Sequence, residues 1–470
     1  MIKLIIVMKK AALFSAYFLL LIFLLLTTAG AENTQSVAPG WKAGIARAVI
    51  TPDEPMWLAG YASRDQESEG TLVDIWVKIL AIEDAKGKKA VLITSDLLGY
   101  PRKMSDRIRN QIAIRYGLTR AQIILSCSHT HTGPVLDEAL FDIYPVDARQ
   151  KEKIKKYSAN LEKKIVELTG EAIRSLAPAK IYSQNGVTRF QVNRRNNAEA
   201  SINLLSELKG PNDHAVPVLK ITGAEGKIIA LAFGYSCHAT VLSINQFSGD
   251  YPGFAQLELE KLYPGSTAMF FQGAGADQNP LPRRTIPLAK QYGKELAAAV
   301  ERVLSEEMKE LAPSLSTAYS EINLKFAKPP SKEELIKIEN ESEGYQKSWA
   351  ANQLKALKEN GSLPTSYPYP LQVWNVGGQP VMTFGGELVI EYSIEIKKIY
   401  GPETFIIGYA NDDMAYIPSE TILQEGGYEG ASSMMVYGMP AKWETGIQAS
   451  IINEVKRLAA KTGIKELAAK

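Results

Sequence analysis

From residue 41 to about residue 326 the apolar positions switch between two patterns. Short runs in which nearly every position is apolar read as strands buried on both faces. Longer stretches in which apolar residues recur every third or fourth position read as amphipathic helices. Strands are expected over 76–82, 89–96, 122–126, 216–221, 228–235 and 268–271. Helices are expected over 104–116, over the long charged stretch 148–176, and near 288–307. Glu225-Gly226 supplies the turn between two of the strands. Residues 331–360 form a helical, highly charged insertion ended by Gly361 and Pro364, which reads as a solvated helix pair on the surface. Strand signals resume at 371–374 and 380–383, and a last helix covers 446–460. The order of elements places the chain in the α/β class, as one large domain (32–470) with mixed β-sheets flanked by helices.

The N-terminus has its own pattern. Lys3, Lys9 and Lys10 precede an apolar run, no acid occurs before Glu32, and Ala29-Gly30-Ala31 closes the run with small residues. This is the form of a secretory signal peptide over residues 1–31, with Met8 as a second possible start. The competing reading is an uncleaved anchor, since residues 11–28 reach the short end of a membrane span. The cleaved chain is expected to be secreted or periplasmic, with no permanent membrane span. Loss of the three lysines takes the net charge from +2 to −1. That balance argues against nucleic acid as a partner. Two cysteines among 470 residues exclude a disulfide scaffold and a four-cysteine zinc module.

The candidate chemistry sits at strand ends. Only four histidines occur, and His129 and His131 lie in the segment that directly follows the apolar run 122–126. On an extended chain, positions two apart share a face, so the two rings can converge; two surface loop histidines are the alternative. His238 likewise follows the apolar run 228–235, and imidazoles at two strand ends fit a metal site that keeps one position open. His214 lies in a polar turn and reads as structural or exposed. Cys127 and Cys237 each adjoin one of these segments and read as buried free thiols. Gly273-Ala274-Gly275 lacks the Lys-Ser/Thr of a phosphate loop and reads as a tight turn at the site.

These segments resemble a known family. Ser128-His129-Thr130-His131-Thr132-Gly133-Pro134 is similar to the T-H-T-H-S-G-P segment of the neutral/alkaline, non-lysosomal ceramidases, and Gly44 to Pro52 is similar to that family's opening. Further matches follow in the same order: Asn193-Arg194, Cys237-His238-Ala239-Thr240, Gly249-Asp250, Gly386-Glu387, Tyr416-Ile417-Pro418, and Tyr428 to Ser432. The resemblance implies one zinc ion per chain, held by His129, His238, Glu387 and Tyr416. It implies a zinc-activated water that attacks an N-acyl carbon, with His131 as general acid/base and Arg194 and Tyr428 donating to the oxyanion. Taken alone, Glu387 would be an acid at the start of a helix and Tyr416 a core tyrosine. The implied substrate is ceramide or another N-acyl lipid. A different amide or ester, such as an N-acyl sugar or peptide, and a non-catalytic binding relative are the alternatives.

Two departures from the family pattern stand out. The family's G-[DN]-x-S-P segment corresponds to Gly275-Ala276-Asp277-Gln278-Asn279-Pro280, so Asp277 keeps the acid or amide position while Asn279 replaces the active-site serine. After Gly438 only 32 residues remain, too few for the roughly 100-residue immunoglobulin-like domain of well-known members. Both bear on ceramide as substrate more than on zinc chemistry. For the leader, N-terminal sequencing of protein expressed with its own first residues is expected to begin near Glu32; full-length chain recovered in membranes would establish the anchor instead.

Overall fold

The computed structural model describes residues 40–139 and 143–468; the expected leader lies outside them. Its larger sheet has nine strands. Eight of them are β1 (Trp41–Val49), β2 (Trp76–Glu83), β3 (Lys89–Ser95), β4 (Ile123–Cys127), β5 (Ala177–Val187), β6 (Ala215–Gly223), β7 (Ile228–Tyr235) and β8 (Thr267–Gln272). They run in the order β8-β7-β6-β5-β1-β2-β3-β4, and Lys309–Glu310 adds to β5. The terminal pairs β8/β7 and β3/β4 are parallel and the intervening pairs antiparallel. A second sheet joins β9 (Leu315–Lys325), β10 (Ser366–Val376), β11 (Gln379–Phe384) and β12 (Phe405–Ile407) in chain order.

The continuous apolar runs are explained by burial on both faces. Ile79, Ile93 and Leu125 face helices α1 (Arg102–Tyr116) and α2 (Ala148–Arg174), while Leu80, Leu92 and Ile124 face the second sheet. On the other half of the large sheet, Leu231 and Phe270 face α3 (Asp250–Leu262) and α4 (Ile286–Leu304). Trp374, Val381 and Phe405 of the second sheet complete the layer between the sheets. The far side of that sheet is covered by α7 (Ile390–Tyr400) and by the C-terminal helix Ile447–Lys461. The result is four layers: helices, sheet, sheet, helices. The large sheet curls until its end strands β8 and β4 lie in contact, and Lys78 Nζ on β2 donates to Ala268 O on β8 across the curl (2.7 Å). This curl brings the ends of β4 and β7 together at one rim.

The insertion forms two helices, α5 (Lys332–Glu341) and α6 (Gly344–Asn360). Ser331 and Glu334 make a capping box at its start, and Gly361 ends it in the left-handed region. It departs from the solvated pair expected from its charge. Leu335, Trp349 and Ala350 are buried in a small core of their own. Trp349 Nε1 donates to Met439 O (2.8 Å) and Gln353 Nε2 to Gly438 O (2.9 Å). The charges occupy the outer face and hide an inner apolar seam. Among the described residues, no helix is long and apolar enough to cross a membrane.

Trp349→Ala removes the largest buried side chain of the arm and is expected to cost about 3–5 kcal/mol. Calorimetric unfolding should show a lowered midpoint. An unchanged midpoint would mean that the arm is not docked.

Candidate active site

β4 ends at Cys127, and the chain then turns sharply, with His129 in the left-handed region at φ 56°. His129 Nδ1 donates to Leu98 O (2.8 Å). That bond fixes the tautomer and leaves the Nε2 lone pair facing inward. His238, three residues past β7, is held in the same way, with Nδ1 on Gly275 O (2.7 Å) and its backbone N–H on Gln278 O (3.0 Å). His131 brings its Nε2 to 3.3 Å from His129 Nε2. The two rings therefore converge as expected, but through the turn at His129 and not through strand alternation. The ring of His131 lies against Gly60, where a Cβ would come within 2.3 Å of Nδ1, so only glycine fits there. One nitrogen from each of His129, His131 and His238 lies within 4.8 Å of the others.

The second sheet supplies the carboxylate. Gly385 and Gly386 turn the chain after β11, with Gly386 at φ 66°. Glu387 then opens a two-residue strand that pairs in parallel with Tyr416-Ile417, and α7 begins only at Ile390. Glu387 is thus not the helix-start acid that its context suggests. Its Oε2 lies 3.1 Å from His238 Nε2 and 3.5 Å from His129 Nε2, and its Oε1 accepts from the Tyr437 hydroxyl. Tyr416 sits opposite Glu387 in register, and Arg194 Nη2 donates to its hydroxyl (3.1 Å). Arg194 Nε is paired with Glu429 (2.8 Å), and Nη1 reaches Asn279 Oδ1 at 3.5 Å. The Tyr428 ring lies 5.3 Å from that of Tyr416 and is 44% exposed, which marks the open side of the site.

Asp277 plays a different part. One carboxylate oxygen accepts from Asn193 Nδ2 (2.9 Å), the other from the Ile390 N–H (2.9 Å), and its carbonyl accepts from the Arg194 N–H (2.9 Å). Burial pushes it up to about 6. These bonds tie the Arg194 segment to the Glu387 segment, and both carboxylate oxygens already accept from the protein. His214 lies away from the cluster, half-buried, with Nδ1 3.4 Å from Gln191 Nε2. Cys127 and Cys237 are buried free thiols.

Burial pushes His129 down to about 4, with His238 adding to the fall and Glu387 opposing it; burial and the Arg194 charge push His238 down to about 3. Burial, then the other two imidazoles, lower His131 well below its ordinary value. All three rings are therefore neutral at pH 7 and able to bind a cation. His238 Nε2 and Glu387 Oε2 are buried without a hydrogen-bond partner. Orphaned buried acceptors of this kind are costly unless something satisfies them. Nitrogen and oxygen donors converging on one point fit a divalent metal of the zinc type. Three further side chains border this cluster. Tyr437 lies in a run without a distinguishing motif, and Asp413 Oδ2 comes within 3.7 Å of His129 Nδ1. Glu429, adjacent to Tyr428, could have been sought as the carboxylate that Arg194 requires.

Comparison with known proteins identifies the family. The family described as "Neutral/alkaline non-lysosomal ceramidase, N-terminal" matches residues 41–281, a stretch that carries His129, His131, Arg194, His238 and Asn279. The neutral ceramidase of Pseudomonas aeruginosa is 23% identical over 236 residues, covering 47% of this chain and 33% of the relative. That of Drosophila melanogaster is 24% identical over 239 residues, covering 47% and 32%. The match thus spans about a third of the length of these curated relatives. The crystal structure of the Pseudomonas aeruginosa neutral ceramidase superposes with a TM-score of 0.70 at 16% identity, over 92% of this chain and 76% of the other. The larger part of this chain lies within one family, and the fold extends over nearly all of the rest: the chain belongs to the neutral/alkaline non-lysosomal ceramidase family.

Proposed function

We propose that this chain is an exported zinc-dependent hydrolase that cleaves the N-acyl bond of ceramide or a related N-acyl amine. The observation that carries this reading is the convergence of His129 and His238 on a buried, half-unpartnered Glu387 in a member of this family. Tyr416 completes the ligand set. A zinc ion held there would supply Lewis acidity and would lower the pKa of water toward about 7.

The remaining work belongs to side chains of the chain itself. His131, neutral at pH 7, takes a proton from the attacking water and returns it to the departing amine. Arg194 and Tyr428 donate to the oxyanion as the acyl carbon becomes tetrahedral, and Glu429 keeps the guanidinium oriented. Asn279 helps to place Arg194 and needs no hydroxyl in this scheme. The Ser-to-Asn change at this position favours a second reading, a non-catalytic metal-binding relative.

Because burial holds the imidazoles neutral, zinc affinity should fall little between pH 7 and pH 5. An imidazole with an ordinary value near 6.5 would cost about twenty-five-fold over that range for each ligand. Chelator competition at the two pH values measures this, and a steep loss would show that the rings protonate normally. His238→Ala should abolish tight binding in the same assay.

Asn279→Ala should slow turnover by only the roughly 1–3 kcal/mol of a lost buried hydrogen bond. His131→Ala should cost about 10²–10⁴-fold. If the natural chain cleaves no N-acyl substrate and Asn279→Ser restores cleavage, the hydroxyl is essential and the non-catalytic reading holds.

A further inference from the structure

We infer that the substrate carries an anionic group, a carboxylate or phosphate, bound beside Tyr61 by Arg284 with the unpaired charge of Arg64 close by; this rests on the N-acyl hydrolase reading and narrows its substrate class to N-acyl amines other than ceramide, which is uncharged. The ring of Tyr61 packs 4.7 Å from that of His131. Two guanidinium groups flank it, those of Arg64 and Arg284, each 5.3 Å from the ring centroid. Other arginines near the site have carboxylate partners. Arg194 pairs with Glu429, Arg195 with Glu425 and Glu429, and Arg283 with Glu199. Among the described residues, Arg64 and Arg284 have no carboxylate within ion-pair distance.

Arg64 is only 6% exposed, and its Nε is buried without a partner. Its other nitrogens donate to His131 O (2.8 Å), Ile244 O (3.1 Å) and Asn245 Oδ1 (2.6 Å), all uncharged. A buried cation without a counter-ion is unfavourable unless an anion visits it. Arg284 is exposed and holds φ 88°, a strained conformation for a side chain of its size. Its N–H is fixed on Val241 O (2.7 Å) and its Nη1 on the Tyr61 hydroxyl (2.9 Å), so the guanidinium is held beside Tyr61. The nearby acid, Asp250, is buried, and its carboxylate accepts from the Leu242 N–H (2.8 Å) and the Tyr251 N–H (2.6 Å). Asp250 and Glu199 act on Arg284 electrostatically, but neither comes within ion-pair distance of it, so its donors are not paired by a carboxylate. The planar donor fork of arginine suits carboxylate and phosphate alike.

Three amides with one acyl chain distinguish the possibilities: N-dodecanoyl ethanolamine, N-dodecanoyl glycine, and N-dodecanoyl ethanolamine phosphate. With zinc-loaded protein, at least one of the two anionic amides should show a kcat/KM roughly tenfold or more above the neutral one, chiefly through KM. The better of the two identifies the anion. Arg284→Ala should reduce that preference by about tenfold, and Arg284→Lys should retain part of it. Binding is read separately by calorimetry with the non-hydrolysable dodecylsulfonyl analogues of the glycine and ethanolamine compounds and of the phosphate. Equal kcat/KM for charged and neutral amides, with no effect of Arg284→Ala, overturns the anion site and leaves the hydrolase reading intact. If no amide is cleaved but the anionic analogues bind preferentially and through Arg284, the anion site stands and the hydrolase reading falls. If no amide is cleaved and binding shows no preference for charge, both fall.

Discussion

The structure depends on two imidazoles whose Nδ1 atoms are committed to backbone carbonyls, Leu98 O for His129 and Gly275 O for His238. These bonds aim both Nε2 atoms at a carboxylate that arrives from the other sheet. Each piece comes from a different stretch of chain, so the surrounding backbone has to be specified closely. Non-glycine residues with positive φ gather here: His129 at 56°, Asp250 at 53°, Tyr409 at 52° and Asn411 at 66°. Each costs on the order of 1–3 kcal/mol and persists only because its surroundings over-determine it. Asn411 shows how. Its N–H donates to Leu125 O, its Oδ1 accepts from the Leu125 N–H, and its Nδ2 donates to Gln372 Oε1. One strained residue thus stitches β4, just before the His129 turn, to β10 of the second sheet.

Arg194 poses an electrostatic problem that Glu429 solves. A guanidinium beside Tyr416 is a suitable donor, but its charge opposes binding of a cation and lowers the affinity of all three imidazoles for protons. Glu429, 5% exposed, takes Arg194 on one oxygen and Arg195 on the other. The desolvation penalty of such a cluster can offset its attraction, so it contributes orientation more than stability. Its presence keeps the donor rigid while moderating its field.

The strands buried on both faces were legible because continuous apolar runs bounded by turns have few other readings. The long helices were legible from their period. β5, with Lys180, Ser183, Gln184 and Asn185 along it, was not, since only three of its eleven residues are buried. α3 opens Asp250-Tyr251-Pro252-Gly253, which resembles a turn, although proline is tolerated in a first helical turn. Within the site, His129, His131 and His238 were legible from strand-end position alone. Glu387 and Tyr416 required the family resemblance, because a two-residue parallel pairing leaves no periodicity. Arg64 and Arg284 were not legible at all. Their significance lies in the carboxylates they lack, which is a property of three-dimensional neighbours.

The arm connects peripheral packing to the centre by a short chain of bonds. Trp349 and Gln353 hold the carbonyls of Met439 and Gly438, the two residues directly after Tyr437. Tyr437 in turn donates to Glu387. A cavity of about 220 Å³ is lined in part by Tyr437, Asp413 and Met439. Close packing elsewhere in the core does not fill that space, so the restraint has to come from the segment's own anchoring. The helical pair supplies it with one buried indole, two side-chain hydrogen bonds and the apolar seam around Leu335. A carboxylate that must point at two imidazoles needs its second oxygen fixed, and the fixing group is held from outside the sheets. The charged insertion is therefore a buttress of the site whose outer face alone is solvated.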